Sequence, residues 1–228
     1  MSKKKIAIQG ELGAYSHIAA ENLYKDSEIK TCTTFEETFK QAYNDPSYKI
    51  VIPIENSLAG RVADIHYLLP KYKLQIHGEH FQAVEHNLLC KPDATISDIK
   101  FVRSHAQAIG QCQNLITKKK FKPIISADTA GSAKDLAEGK DKTIAAIASE
   151  LSAKIYNLKI LEKNIEDEKG NVTRFLIMGK NIEQPEFKKE KKFITSCIFR
   201  VKSEPSALYK CLGGFATNQV NLTKLESF

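Results

Sequence analysis

The stretch Lys49-Ile50-Val51-Ile52-Pro53-Ile54-Glu55-Asn56-Ser57-Leu58-Ala59-Gly60 decides how this chain is organised. Its first half is apolar and rich in β-branched residues, which predicts a buried strand. A carboxylate, an amide and a hydroxyl then follow together. Polar side chains just beyond the carboxyl end of a strand are typical of ligand sites in open α/β sheets. An ordinary turn with Asn56 or Ser57 as a helix N-cap has the same sequence, so the stretch alone leaves both interpretations open.

Strands and helices alternate on the amino-terminal side of this stretch. Residues 6–8 and 29–32 predict two further strands, and Thr34 with Glu37 forms a capping box at the start of a helix over 35–44. An order of strand, helix, strand, helix, strand implies parallel strands joined by right-handed crossovers. The first part of the chain is therefore predicted to be an α/β unit.

The same alternation restarts after a strand-rich passage over 74–90, which we expect to cross between two lobes. Strands are predicted at 101–103, 123–126 and 143–148, each followed by a helix. Two α/β lobes joined by crossing segments imply a cleft between them, and ligands favour such clefts.

The last part of the chain differs in composition. Residues 181–192 are polar and rich in lysine, which predicts a linker. Beyond it we predict a strand over 193–201, a helix over 206–217 and a strand over 220–225. A piece this short cannot close a core of its own, since units below about 40 residues rarely do.

The composition is that of a soluble globular protein, with 228 residues of which 42% are hydrophobic and 27% charged. No apolar stretch approaches a membrane span, and the apolar run near the start is too short for a signal peptide. The five cysteines are widely spaced and odd in number, which argues against a disulfide framework or a zinc site. We therefore expect a cytoplasmic protein with reduced thiols. The cysteines are Cys32, Cys90, Cys112, Cys197 and Cys211.

The formal net charge of +7 comes from lysine, because only four arginines are present. The lysine runs lack interleaved aromatic residues and a nucleic-acid motif, so we expect no nucleic-acid partner. Arg61, Arg103 and Arg174 lie within or beside polar segments, where a planar guanidinium suits a carboxylate ligand. A structural carboxylate would suit each of them equally well.

Four other segments place small or polar residues just after a predicted strand, and each alone has a structural explanation as a turn or a capped helix start. These segments are residues 10–16, 104–112, 128–133 and 171–175. His77, His80 and His86 fall near one another in the strand-rich passage. Strand periodicity directs His77 and His80 to opposite faces, so we expect no metal site.

Together the segments resemble the prephenate dehydratase family in order and spacing, over residues 4–228. The tail around Pro205 to Leu208 and 221–227 resembles the start of the ACT regulatory domain of that family, which binds phenylalanine. The motifs that carry the resemblance are Gly10 to Ser16, Pro53-Ile54-Glu55-Asn56-Ser57, Ser104-His105, Gln107, Gln111-Cys112, Asp128-Thr129-Ala130, Ala145-Ala146-Ile147-Ala148-Ser149 and Asn171-Val172-Thr173-Arg174-Phe175.

The resemblance implies a two-lobed α/β catalytic domain like type II periplasmic binding proteins, with an inter-lobe cleft, followed by a partial α+β ACT domain. The catalytic domain would span 1–180, with lobe one at about 1–77 plus 172–180 and lobe two at about 78–171. A linker over 181–192 and an incomplete ACT domain over 193–228 would follow. A homodimer or homotetramer is also implied.

The resemblance further implies decarboxylating dehydration of prephenate to phenylpyruvate in L-phenylalanine biosynthesis, without a cofactor or metal. Thr173 would donate to the departing ring hydroxyl, and Arg174 would pair with a substrate carboxylate. Glu55 would order its loop, since it would repel a dianion. The other implied substrate-binding residues are Asn56, Ser104, Gln111, Ser16 and Ser57.

The resemblance also implies L-phenylalanine as an effector. Ser206 replaces a usual glycine, and the sequence ends in Phe228 where the family continues with Arg-Pro, so we expect phenylalanine control to be weakened or lost. Arogenate dehydratase and a non-catalytic amino-acid or carboxylate-binding module are the alternatives. The implied phenylalanine-binding residues are Ala207, Leu208, Asn221, Leu222, Glu226 and Ser227.

Overall fold

The computed structural model describes residues 3–181, 186 and 188–227. The chain divides into two compact units, Met1–Glu183 and Gln184–Phe228. Among the described residues, the first unit contains all eleven strands and the first seven helices, and the second contains one helix. None of the helices in this described part has the length and apolar character that crossing a membrane requires.

The strands are β1 (Lys5–Gln9), β2 (Glu28–Cys32), β3 (Tyr48–Asn56), β4 (Gly60–Arg61), β5 (Gln75–Ala83), β6 (Asn87–Cys90), β7 (Phe101–His105), β8 (Lys122–Ser126), β9 (Ile144–Ala148), β10 (Lys159–Glu162) and β11 (Val172–Gly179). The helices are α1 (Tyr15–Leu23), α2 (Phe35–Asn44), α3 (Ala63–Tyr72), α4 (Ala106–Gly110), α5 (Gln113–Lys119), α6 (Thr129–Glu138), α7 (Glu150–Ile155) and α8 (Ala207–Thr217).

The first sheet has the order β2-β1-β3-β11-β5, with β4 paired to β3 at its end. Strand β1 is parallel to both β2 and β3, which confirms the parallel unit predicted from the sequence. Strand β11 lies antiparallel between β3 and β5. Since β5 pairs with β11 as far as Ala83, the first lobe extends beyond the expected boundary at 77, and the chain crosses between the lobes over 84–86.

The second sheet has the order β10-β6-β9-β7-β8 and is formed by residues between 87 and 162. Strand β7 is parallel to β8 and β9, whereas β6 and β10 are antiparallel additions. The two sheets confirm the prediction of an α/β fold, and we call the part of the chain around each sheet a lobe.

Each sheet is buried on both faces, which explains why its central strands are continuous apolar runs rather than alternating ones. In the first sheet, α1 covers the face that presents Val51 and Phe175. Helices α2 and α3 cover the opposite face, which presents Ile50 and Leu176. The predicted capping of α2 is confirmed, because Thr34 Oγ1 accepts from the backbone N–H of Glu37.

In the second unit, helix α8 confirms the helix predicted over 206–217. The strands predicted over 193–201 and 220–225 were wrong, since both segments are irregular in the described structure. Apolar alternation specifies a strand only where a neighbouring strand pairs with it, and this unit offers none among its described residues. Of the predicted linker, residues 182–185 and 187 lie outside the described residues.

Candidate active site

A bulge in β3 sets which polar side chain faces Thr173. Where β3 pairs with β11, Pro53 lies opposite Phe175. Farther along β3, Asn56 lies opposite Thr173. Three steps along β3 therefore correspond to two along β11, so Ile54 is the extra residue. A bulge of this kind exchanges the two faces of a strand beyond the point where it occurs.

Regular pairing would have placed Glu55 opposite Thr173. The bulge instead pairs Glu55 with Arg174, which projects from the other face of the sheet. An amide and a hydroxyl therefore meet on one face, and a carboxylate and a guanidinium on the other.

Asn56 is fully hydrogen-bonded within the protein. Its Nδ2 donates to Asn171 Oδ1 at 2.6 Å and to Thr173 Oγ1 at 2.9 Å. Its Oδ1 accepts from the backbone N–H groups of Leu58 at 3.0 Å and Ala59 at 2.8 Å. These four bonds use both donors and both acceptor positions of the amide. Asn56 therefore fixes the turn and Thr173 in place.

The hydroxyl of Thr173 has its proton available. The residue is only 9% exposed, and its Oγ1 accepts from Asn56. No acceptor for its own O–H lies within hydrogen-bond distance among the described residues. Because donation by the amide polarises the hydroxyl, its O–H is a better donor to a ligand.

Gln111 joins the cluster from the second lobe. Its Oε1 accepts from Asn171 Nδ2 at 3.1 Å and lies 2.9 Å from His86 Nε2. The Tyr15 hydroxyl lies 3.0 Å from His86 Nδ1 and 2.7 Å from the Glu85 carbonyl oxygen, and it has a single proton for the two. Within the described chain nothing accepts from Gln111 Nε2, so this nitrogen has two N–H groups for a ligand.

Burial keeps the titratable members of this cluster neutral. Desolvation lowers the pKa of His86, although the hydrogen bond to Gln111 and the charge of Glu166 oppose the shift. Desolvation raises the pKa of Tyr15 well above its usual value. It also raises the pKa of Cys112 to about 12, so this thiol is unreactive at neutral pH.

A cavity of about 390 Å³ adjoins Gln111 between the lobes. The Leu58–Ala59 turn of the first lobe forms one wall, and Gln107, Gly110, Gln111, Asp167 and Glu168 line the rest. We call this cavity the cleft.

The two acidic residues of the cleft differ in their partners. The Asp167 carboxylate accepts from the backbone N–H groups of Gln113 at 2.8 Å and Asn114 at 3.1 Å, so it caps the start of α5. Glu168 is exposed and has no ion-pair partner in the described part of the chain. Only Glu168 therefore brings an uncompensated negative charge to the cleft.

The three serines predicted to bind substrate all bond to backbone groups. Ser57 Oγ accepts from the Val172 N–H at 2.9 Å, which ties the turn to β11. Ser104 is fully buried and donates to the Ile147 carbonyl at 2.7 Å. Ser16 donates to the Gln9 carbonyl at 3.1 Å. Their contact with substrate stays a prediction.

Arg174 is engaged away from the cluster. Its Nε lies 2.8 Å and its Nη2 2.7 Å from Glu79 Oε2 on β5. The bond joins neighbouring strands of the first sheet on the face opposite Thr173. Pairing of Arg174 with a substrate carboxylate also stays a prediction.

The predicted glycine loop at 10–16 joins the lobes. The Gly13 carbonyl accepts from Ser149 Oγ at 2.6 Å and Ser152 Oγ at 3.0 Å, and both serines lie in the second lobe. Gly13 has a φ of +90°, and a Cβ there would collide with Ser152. The Gly13 N–H donates to His17 Nδ1 at 3.0 Å. The glycine thus serves a close approach between the lobes.

Sequence reasoning missed three members of the cluster: Tyr15, His86 and Asn171. Asn171 lies within the motif at 171–175, two residues before Thr173, where its amide is a visible candidate. His86 was considered only as a metal ligand. Its contact with Gln111 joins residues far apart in the chain, and nothing in the local pattern indicates it.

Comparisons with known proteins identify relatives over nearly the whole chain. A family model described as "Prephenate dehydratase" matches residues 6–183. A protein of Komagataeibacter europaeus, "Bifunctional N-acyl-homoserine lactone acylase/prephenate dehydratase", is 41% identical over 226 residues, covering 98% of this chain and 79% of that protein.

A plant relative and a solved structure agree with that match. "Arogenate dehydratase/prephenate dehydratase 2, chloroplastic" of Arabidopsis thaliana is also 41% identical, over 99% of this chain, which spans only 59% of that protein. The crystal structure of a prephenate dehydratase from Arthrobacter aurescens in complex with L-Phe is 25% identical. It superposes with a TM-score of 0.86, covering 98% of this chain and 75% of that one.

Proposed function

Because the chain belongs to the prephenate dehydratase family, we propose that the cluster around Thr173 and Gln111 is where it converts prephenate to phenylpyruvate. The chain is a hydro-lyase whose reaction releases water and carbon dioxide in phenylalanine biosynthesis. The geometry supports this place for the reaction because hydrogen-bond donors from both lobes meet there beside the cleft.

The reaction needs a donor at one oxygen of the substrate. The bond between the ring and its carboxylate breaks, and its electron pair enters the ring. The bond between the opposite ring carbon and its hydroxyl then breaks with its electrons, which makes the ring aromatic. The departing oxygen gains negative charge and must end as water, so a donor placed there lowers the barrier.

The observation that carries the proposal is the unused proton of Thr173. Since Asn56 already donates to Thr173 Oγ1, the threonine O–H is the remaining donor, and it is directed away from Asn56. A threonine hydroxyl is a weak acid. It therefore stabilises the departing hydroxyl through a hydrogen bond, and the proton that completes the water comes ultimately from solvent.

The remaining predicted site residues fall into two groups according to their hydrogen bonds. Gln111 Nε2 supports a direct contact with a substrate carboxylate. Asn56 and Ser57 hold the turn that forms one wall of the cleft, whereas Ser104 and Ser16 donate to backbone carbonyls of β9 and β1. We propose that these four residues shape the site, and that direct contact with substrate is made by Thr173 and Gln111.

Arg174 receives a separate proposal. Its pair with Glu79 fixes β5 to β11, so that Thr173 on the same strand is held in position. Binding of a substrate carboxylate by Arg174 would require release from Glu79 and is the second role that we propose for it.

The test is a direct assay of the whole chain with prephenate and no added cofactor, following phenylpyruvate. Turnover that depends on Thr173 supports the proposed site. Binding of prephenate without turnover would instead identify a non-catalytic binding module and overturn the proposal.

Arogenate is the second candidate substrate, and Glu168 is the observation that favours it. Arogenate carries an ammonium group where prephenate has a keto oxygen, and an unpaired carboxylate at the cleft favours a cation. The Arabidopsis relative is named for both reactions. Rates with the two substrates, compared in Glu168→Gln and the unaltered chain, decide between them: removing the charge should lower kcat/KM for arogenate only.

For the wider architecture we propose the two-lobed fold of type II periplasmic binding proteins over 1–180, supported by two sheets joined by crossing segments. A linker over 181–192 and an ACT domain over 193–228 would follow. Helix α8 supports the ACT assignment, since it lies where that resemblance places it.

We further propose L-phenylalanine as an effector that binds the second unit. The Arthrobacter relative was solved with L-Phe, which supports this ligand class. Activity measured across a phenylalanine titration tests it. We also propose a homodimer or homotetramer, which the apolar side chains exposed on α8 support. We propose the cytoplasm as the location of the protein, which the free cysteines support. The residues proposed to bind the effector are Ala207, Leu208, Asn221, Leu222, Glu226 and Ser227.

A further inference from the structure

His86 is a buried titratable side chain of the cluster, at 2% exposure. It lies at the crossing between β5 and β6, where the chain passes from one lobe to the other. Its ring bridges Tyr15 of the first lobe and Gln111 of the second. The proposed mechanism gives this histidine no part.

The orientation of every amide in the cluster follows from the backbone. The N–H groups of Leu58 and Ala59 can only donate, so they fix the oxygen of Asn56 toward themselves. Asn56 then presents its nitrogen to Asn171, whose oxygen must face it. The nitrogen of Asn171 in turn requires the oxygen of Gln111.

This sequence of bonds determines the tautomer of His86. The oxygen of Gln111 is an acceptor only, so the His86 nitrogen that faces it, Nε2, must carry a proton. In the neutral ring Nδ1 is then an acceptor, and it shares the single proton of the Tyr15 hydroxyl, 3.0 Å away, with the Glu85 carbonyl. The ring and the Asn171 amide together hold Gln111 Oε1 from two sides.

We propose that His86 is a positioning residue, which as the Nε2–H tautomer holds the Gln111 amide with its nitrogen toward a substrate carboxylate. This inference rests on the proposed function of the cleft. Without the histidine N–H, the Gln111 amide is held by Asn171 alone and turns more easily, which brings its oxygen toward the carboxylate and repels it. The effect falls on substrate binding, because the carboxylate is present before and during the reaction.

Two substitutions separate the donor from the ring. In His86→Gln the amide nitrogen takes the place of Nε2, so donation to Gln111 is kept. In His86→Asn the nitrogen takes the place of Nδ1, on the side of Tyr15, and donation to Gln111 is lost. If His86 acted through packing alone, both variants would be affected alike, or His86→Gln would be affected less because it loses less volume. In neither case would the change be specific to KM.

We expect His86→Gln to keep KM for prephenate near that of the unaltered chain. We expect His86→Asn to raise KM roughly tenfold to a hundredfold with little change in kcat, the usual effect of losing one buried hydrogen bond. His80→Gln and His80→Asn serve as the matched control pair on β5. Equal KM values for the two His86 variants, or a loss confined to kcat, would overturn the inference.

A second measurement does not depend on activity or on the variants folding. Side-chain ¹H–¹⁵N spectra of the unaltered chain report the tautomer of each of its six histidines, and the signal missing from His86→Gln identifies His86. An Nε2–H signal is expected. An Nδ1–H tautomer would overturn the inference even in an active enzyme, whereas absence of turnover with an Nε2–H signal would count against the proposed function alone.

Discussion

Asn56 donates a hydrogen bond to Thr173 Oγ1 at 2.9 Å, from a neighbouring strand and on the same face of the sheet. The bond leaves the threonine proton as the only donor of that hydroxyl, and the partners of Asn56 leave the amide no freedom to turn. The direction of the Thr173 O–H is thus set by a residue that need not touch substrate.

Removal of the Thr173 hydroxyl should abolish most of the activity while the fold is kept. Thr173→Val preserves the shape of the side chain, and we expect kcat to fall on the order of a hundredfold or more. Thr173→Ser keeps the hydroxyl and is the matched control. Steady-state assays with prephenate measure both, and circular dichroism checks the fold. Near-normal kcat in Thr173→Val would remove Thr173 from its assigned role.

Conversion of the Asn56 amide to a carboxylate should impair the site at neutral pH. In Asn56→Asp an acceptor replaces the donor that faces Thr173 and Asn171, so the Thr173 proton is drawn to the new carboxylate and away from the cleft. We expect kcat to fall and to recover partly as the pH is lowered, because protonation restores a donor. Asn44→Asp, at the exposed end of α2, is the control. A pH-independent loss would contradict the explanation.

Because the two lobes approach closely at Gly13, we predict that substitution of two glycines will lower the stability of the protein by different amounts. Gly13 and Gly170 have similar backbone angles, with φ of +90° and +84°, but only Gly13 has an atom within reach of a new Cβ. We expect Gly13→Ala to lower the free energy of unfolding by roughly 1–3 kcal/mol more than Gly170→Ala does, through overpacking against Ser152. Urea unfolding of both variants measures the difference, and equal losses would show that backbone strain alone is responsible.

The buried neutral state of His86 predicts a stability change with pH. Burial lowers the pKa of His86 below its usual 6.5. Below pH 6.5 the unfolded chain therefore binds a proton that the folded chain does not, so stability falls as the pH falls through that value. The slope for one such proton is at most about 1.4 kcal/mol per pH unit.

Urea unfolding between neutral and mildly acidic pH measures this dependence, and His86→Gln should flatten it. His17 also has a pKa lowered by burial, opposed by Glu21, so His17→Gln serves as the comparison. An unchanged pH dependence in His86→Gln would show that His86 has the same pKa in the folded and the unfolded chain, so that burial does not lower it.

The regular elements of the first unit were predictable because their periodicity is local. The run 49–52, the capping residues Thr34 and Glu37, and the alternation of strands with helices each depend on neighbours in sequence. The strand predictions near the carboxyl end failed because alternation alone does not supply a partner strand. The length of β5 was missed for a related reason, since its end is fixed by pairing with the distant β11.

The candidate site was predictable as a set of segments but not as a set of contacts. Asn56 bonds directly to Thr173, and Gln111 is linked to both through Asn171. The assignment of Asn56 as the amide that touches substrate did not anticipate that its hydrogen bonds are all used internally. The link through His86 depends on the crossing between lobes, which no local pattern encodes.

The bulge at Ile54 makes the chemistry of this protein depend on the pairing register of β3 as well as on the identity of its residues. A change that straightened β3 without altering its length would leave every side chain of the site in the sequence. It would nevertheless bring Glu55 to the place of Asn56, with a negative charge beside the group that must donate. Among relatives aligned by residue type alone, such a protein would look intact and be inactive.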